Sequence, residues 1–117
     1  MDTRAKILDA AAFRGNGKPI KLVIGYFDPL HASHLRRLRE LNTESYTLLV
    51  AVDNPPEPLL PVRARQELVA ALSCVDFVIA SADIALVTAD EVVDERPGDL
   101  ERRDMLVRQV NSKHSRQ

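Results

Sequence analysis

The sequence predicts an α/β domain: a parallel sheet of about four strands with flanking helices. Two observations lead there. Apolar runs of strand length, rich in β-branched residues, alternate along the chain with stretches of helical period. The runs are also apolar at nearly every position, as in strands buried on both faces, which is the mark of a parallel sheet.

The elements follow in order. "TRAKILDAAAF" places Ile7, Leu8, Ala11 and Ala12 on one face, predicting a helix over about 3–13 capped by Thr3 or Asp2. "RGNGKP" ends it, because glycine and proline disfavour continued helix. "IKLVIGY" (20–26) reads as a buried strand. "SHLRRLREL" carries leucine at 35, 38 and 41, a helical stripe, with Ser33 as its N-cap. "YTLLVAVD" (46–53) is a second strand, and the four prolines of "NPPEPLLP" make the next segment a loop. "VRARQELVAALS" is an amphipathic helix with Val62, Leu68, Val69 and Leu72 turned inward, and "VDFVIA" (75–80) is a third strand. "ADIALVTA" suits a short helix better than a strand, and "DEVVDE" is a weak fourth strand. "GDLERRDMLVRQV" gives a final helix with Leu100, Leu106, Val107 and Val110 apolar, before a polar tail over about 112–117.

Size and composition narrow the function. With 117 residues, 45% of them hydrophobic, the chain fits one compact domain with a modest core. A formal charge of -1 lacks the basic excess of a nucleic-acid binder. No apolar stretch has the length of a membrane span, and the N-terminus has no apolar signal-peptide core, so a cytoplasmic protein is expected. The single cysteine, Cys74, sits among apolar neighbours and reads as a small buried hydrophobe.

The chemistry concentrates in "GYFDPLHASH" (25–34). It lies where the first strand hands over to a helix, at the carboxyl edge at which open parallel sheets bind ligands. N–H groups at a helix start favour an anion, and His31 and His34 are spaced to flank that start. Imidazoles there can donate to phosphate oxygens, and Gly25 would let a phosphate approach the backbone. This predicts a phosphate site acting by charge stabilisation during in-line attack, with no side-chain nucleophile. The alternatives are two loop histidines with a capping role, or a metal site from His31, His34 and Asp28, with Asp28 also suited to a turn.

The string Gly25, Phe27, Asp28, His31 and His34 resembles the first landmark of the nucleotidyltransferase family whose motif is written H-x-G-H. That family includes glycerol-3-phosphate cytidylyltransferase and the adenylyltransferase domain of ADP-heptose synthase. "LLVAVD" resembles its second strand, and "LPVRARQELVAALSCVDFVI" its third landmark, with Arg65 on the family's arginine. The resemblance implies a Rossmann-like sheet of nucleotidyltransferase type. It implies transfer of a nucleotidyl group from CTP or ATP to a small phosphorylated or alcohol substrate, with release of pyrophosphate and help from magnesium. His31 and His34 would be catalytic, and Gly25, Tyr26, Phe27, Asp28, Ser33 and Arg65 would bind nucleotide or phosphate. A homodimer is implied on the same ground. The chain departs from the pattern in three places: Ser33 stands for the motif's glycine, the loop 54–61 has no Lys or Arg, and the late Ser/Thr-rich motif is missing. These departures keep a second reading open, a degenerate member that binds nucleotide, phosphate or a protein partner without turnover.

Overall fold

The computed structural model describes residues 2–13, 17–101 and 105. Four strands, β1 (Ile20–Gly25), β2 (Thr47–Val52), β3 (Phe77–Ala80) and β4 (Glu91–Asp94), form one sheet in the order β3-β2-β1-β4. Every pairing is parallel, with Gly25 opposite Val52 and Ile24 opposite Asp94. Helix α1 (Ala32–Leu41) joins β1 to β2, and α2 (Val62–Ala70) joins β2 to β3. A 3-10 turn at Ser81–Leu86 leads from β3 toward β4 on the far side of β1. The chain therefore reverses its direction of strand addition at β1, which puts the ligand crevice of such a sheet at the carboxyl ends of β1 and its neighbours.

Alternation along the strands builds two apolar layers. Val23, Leu48, Val50, Val52 and Val78 face one side, where Leu38 of α1 and Val69 and Ala70 of α2 cover them. Leu22, Ile24, Leu49, Ala51 and Ile79 face the other, packed by Phe13, Phe77, Ile84 and Val87. The ring of Phe13 meets that of Phe77 edge-on at 5.4 Å between centroids. Continuous apolarity in the strands thus reflects cover on both faces, as the sequence implied.

Three local expectations are corrected. The N-terminal stretch is not one helix over 3–13 but two 3-10 turns, Thr3–Lys6 and Ala10–Ala12. Between them Ile7 bridges Val78 and the Leu8 N–H donates to the Val78 carbonyl, so the segment covers the edge of β3. Pairing with an open strand edge wins over a marginal short helix. Ser33 is not the N-cap of α1: the helix begins at Ala32, His31 is the N-cap, and Ser33 lies inside the first turn. In α2 the buried stripe is Arg65, Gln66, Val69 and Ala70, while Val62 and Leu68 are exposed. Val69 is buried and Leu72 packs against the core as expected, and an arginine takes a core position in place of Val62 and Leu68.

"ADIALVTA" contributes to the 3-10 turn, and "DEVVDE" to β4, as expected. Residues 96–101 are helical. Most of the expected final helix, with Leu106, Val107 and Val110, and the 112–117 tail lie outside the described residues. No helix among the described residues is long and apolar enough to cross a membrane.

Candidate functional site

The site grows from the end of β1. Gly25 closes the strand, and its carbonyl accepts the Asp53 N–H at 2.8 Å from the end of β2. A Cβ on Gly25 would lie 2.7 Å from Cε2 of Phe27 and 2.8 Å from Oδ2 of Asp99. Those two groups fill the space over the glycine. Phe27 adopts φ 49°, a left-handed conformation unusual for a bulky residue and one that clusters at functional sites. That turn folds its buried ring back over β1, 5.0 Å from the His34 ring.

The next residues are held by long-range bonds. Buried Asp28 accepts the N–H groups of Leu59 at 2.7 Å and Leu60 at 2.9 Å, fixing the 54–61 loop beside the site. This is a different job from a turn residue bonding its own backbone. Arg65 is only 1% exposed. It donates to the carbonyls of Leu60, Tyr26 and Asp53 and to Oδ1 of Asn54. Burial pulls the pKa of its guanidinium down, and the Asp28 and Asp53 charges oppose that shift. In this conformation Arg65 ties the ends of β1 and β2 to α2 and points at protein acceptors.

His31 and His34 come together. Their ring centroids are 5.5 Å apart with 38° between planes. The His31 N–H donates to Nδ1 of His34 at 2.9 Å. A backbone N–H can only donate, so Nδ1 carries a lone pair and the His34 ring proton sits on Nε2. Nε2 lies 2.5 Å from Oδ1 of Asp99, with side chains 2% and 3% exposed. The other carboxylate oxygen of Asp99 accepts the Tyr26 N–H at 2.8 Å. Ser33, half-buried, stands between the two histidines in the first turn of α1.

An ionic clasp crosses the rim. Arg96 donates to Asp94 at the end of β4, at 2.8 and 2.9 Å, and to Oδ2 of Asp53 beyond β2 at 3.1 Å. Pairing with Asp94, then with Asp53, pushes the Arg96 pKa up. The same hydrogen bond holds the Asp94 carboxyl below its ordinary range. Burial pushes Asp53 up, but the Asn54 N–H, Arg96 and Ser81 together outweigh it and leave Asp53 lowered.

Folding thus gathers Gly25, Tyr26, Phe27, Asp28, His31, Ser33 and His34 at one end of β1, with Arg65 buried beneath them. Asp99, Arg96 and Asp53 were missed by sequence reasoning. The available signal was the acidic run "DERPGD" directly after a strand, at the same edge of the sheet.

A family model described as cytidylyltransferase-like matches residues 22–114, from β1 through the helix that carries Asp99. The chain belongs to the cytidylyltransferase-like family. Among relatives of this cytidylyltransferase-like chain, the bifunctional protein HldE of Hydrogenovibrio crunogenus is 33% identical over 75 residues, covering 56% of this chain and 16% of that protein. The bifunctional protein HldE of Coxiella burnetii is 30% identical over 88 residues, 68% of this chain and 18% of that protein. The chain therefore spans less than a fifth of the length of these two relatives. The FAD synthase of Methanohalophilus mahii is 31% identical over 94 residues, 64% of this chain and 66% of that protein.

The described residues do not by themselves fit a resident magnesium ion. Among the described residues no three His, Cys, Asp or Glu side chains group as metal ligands, and the rim carboxylates of Asp53 and Asp94 are paired with Arg96.

Proposed function

We propose that this cytidylyltransferase-like chain transfers a nucleotidyl group from CTP or ATP to a small phosphorylated or alcohol substrate, releasing pyrophosphate. The observation that supports this best is the neighbouring pair His31 and His34, 5.5 Å apart at the start of α1 beyond the end of β1. An oxygen of the acceptor attacks the α-phosphorus. The new P–O bond forms as the bond to the bridging oxygen breaks, and pyrophosphate carries away that electron pair. A hydroxyl acceptor gives its proton to solvent. The imidazole N–H groups and the N–H groups opening α1 stabilise the charge that builds on the phosphoryl oxygens. The Tyr26 and Phe27 backbone lines the same edge. Family membership supports a nucleotide donor, and a relative named for making FAD, a molecule with an adenylyl half, supports ATP beside CTP.

A second reading, binding without turnover, has its own support. Both ring nitrogens of His34 are engaged within the protein, and a carboxylate stands at the anion's place. The two readings separate in one experiment. CTP or ATP, supplied with magnesium, is incubated with the protein and candidate phosphorylated and alcohol acceptors, and pyrophosphate release is followed. Release that depends on His31 and His34 supports the transferase. Calorimetric nucleotide binding without release supports the second reading, and neither signal removes the transferase and leaves only phosphate or a protein partner as the ligand. A homodimer and a cytoplasmic location belong to the same proposal, and light scattering on the purified chain tests the former.

A further inference from the structure

The carboxyl end of β1 already holds an anion. Asp99, from the 96–101 helix, takes the Tyr26 N–H with one oxygen and Nε2–H of His34 with the other, at 2.8 and 2.5 Å. Its Oδ2 also occupies the face of Gly25 that has no side chain, 2.8 Å from where a Cβ would stand. A backbone N–H, an imidazole N–H and a bare glycine face are what a phosphoryl oxygen would use at this strand end. The His31 N–H takes the lone pair on Nδ1 of His34 and leaves Nε2–H as a donor, and the acceptor that meets it is the Asp99 carboxylate. A phosphate cannot enter beside it without meeting both its volume and its charge.

The segment that delivers Asp99 is tied down at its start. Glu95 accepts from Nε of Arg37 on α1 at 2.7 Å, Arg96 clasps Asp53 and Asp94, and the Asp99 N–H bonds the Glu95 carbonyl at 2.9 Å. These ties join the start of the 96–101 helix to α1, to Asp53 beyond β2 and to the end of β4.

We propose that Asp99 is a resident stand-in for a substrate phosphoryl group, so that the site is self-occupied as folded and opens when the start of the 96–101 helix is displaced. The proposal rests on the nucleotide reading above and concerns its regulation. The apparent affinity for an anionic ligand is reduced by the fraction of molecules that are open. Whatever loosens the start of the 96–101 helix raises it.

The test titrates inorganic pyrophosphate, ATP and CTP, each with magnesium, into the wild type and into Asp99→Asn, Asp99→Ala and Arg37→Met, with thermal unfolding to confirm that each variant is folded. Pyrophosphate is expected to bind the Asp99 variants at least tenfold more tightly than the wild type. Arg37→Met leaves Asp99 and its partners in place and remains informative if the Asp99 variants do not fold. It removes a cation, which by charge alone weakens anion binding, yet it frees the helix start and is expected to tighten binding. Equal or weaker pyrophosphate binding by the folded variants overturns the proposal. Wild-type protein that binds ATP or CTP as tightly as the variants overturns it while leaving the nucleotide reading intact. Pyrophosphate tightening with no response to either nucleotide supports the stand-in and removes the nucleotide reading.

Discussion

Asp28 and Arg65 grip the same residue from opposite ends. The Asp28 carboxylate accepts the Leu60 N–H, and Nε of Arg65 donates to the Leu60 carbonyl. Both side chains are buried, and Asp28 also takes the Leu59 N–H. The 54–61 loop, with four prolines and no basic residue, is thereby fastened to the end of β1 and to α2. Proline cannot contribute N–H groups of its own, so the loop's order depends on these outside partners.

Removing the carboxylate should therefore cost stability. Asp28→Ala removes the charged acceptor of two part-buried hydrogen bonds, from the Leu59 and Leu60 N–H groups, and should destabilise by about 3 kcal/mol, which lowers the melting temperature by roughly 12 °C for a chain of this size. Arg65→Lys should be similarly damaging, because one ammonium cannot reach four acceptors arranged for a planar fork. Thermal unfolding followed by circular dichroism checks both. A Lys variant as stable as the wild type would show that the fork geometry does not matter.

Strands β1, β2 and β3 were legible because burial on both faces leaves a local trace, an apolar run such as "TLLVAV", and α1 was legible through its leucine stripe. The histidine loop was legible as a motif. What stayed hidden has a common cause. Asp99 meets His34 across 65 residues of sequence, and Arg65 meets Tyr26 across 39, so neither partnership leaves a local pattern. A charge run such as "GDLERRD" looks like a solvated helix face until the sheet brings one of its carboxylates over β1. The N-terminal stretch misled for the opposite reason: its local helical pattern is real, but the edge of β3 offered its backbone a better partner.

The Arg96 clasp predicts an acid dependence with a definite sign. Asp53 and Asp94 both titrate below their ordinary value of 3.8 in the folded chain. Their pairing therefore contributes stability that is fully present above that value and is lost as pH falls through the lowered folded values. The pairs are partly exposed, so screening holds the contribution to about 1 kcal/mol. Denaturant unfolding of the wild type and Arg96→Gln should show a stability gap that is constant from about pH 8 to pH 5 and narrows by that amount toward about pH 2. A gap that widens on acidification would contradict the assignment of both carboxylates.

Gly25 is required for space, not for its dihedral freedom. Gly25→Ala puts a methyl carbon 2.7 Å from the Phe27 ring and 2.8 Å from the Asp99 carboxylate, and both are packed. The expected cost is about 1–3 kcal/mol, as for overpacking elsewhere. Because the clash is shared, the cost should not add to that of changing a neighbour: Phe27→Leu together with Gly25→Ala should be less harmful than the sum of the two. Strict additivity in a double-mutant cycle would mean that the backbone shifts away and the ring does not set the limit.

Cys74 should report on unfolding. Its thiol is buried and burial pushes its pKa up, so little thiolate is presented in the native state. Alkylation by iodoacetamide at neutral pH should be slow for the native protein and should accelerate with added urea in step with the loss of helical signal. Rapid labelling of the native protein would place the sulfur at the surface.

The two histidines should separate by what their loss does to the folded state. His34 takes the His31 N–H on one nitrogen and faces buried Asp99 with the other, so His34→Ala strands a backbone donor and a buried carboxylate. A destabilisation of about 2–4 kcal/mol is expected, together with loss of any turnover. His31 lies half-buried at the N-cap, and its backbone, which the substitution keeps, supplies the contact to His34. If the chain is a transferase, His31→Ala should lower pyrophosphate release by about 100-fold or more, with a smaller effect on melting temperature than His34→Ala. Initial rates under saturating nucleotide, measured beside thermal unfolding for each variant, distinguish the cases. Turnover that survives His31→Ala would remove that ring from the chemistry, and an unchanged melting temperature in His34→Ala would mean that the buried pair with Asp99 does not hold the 96–101 helix in place.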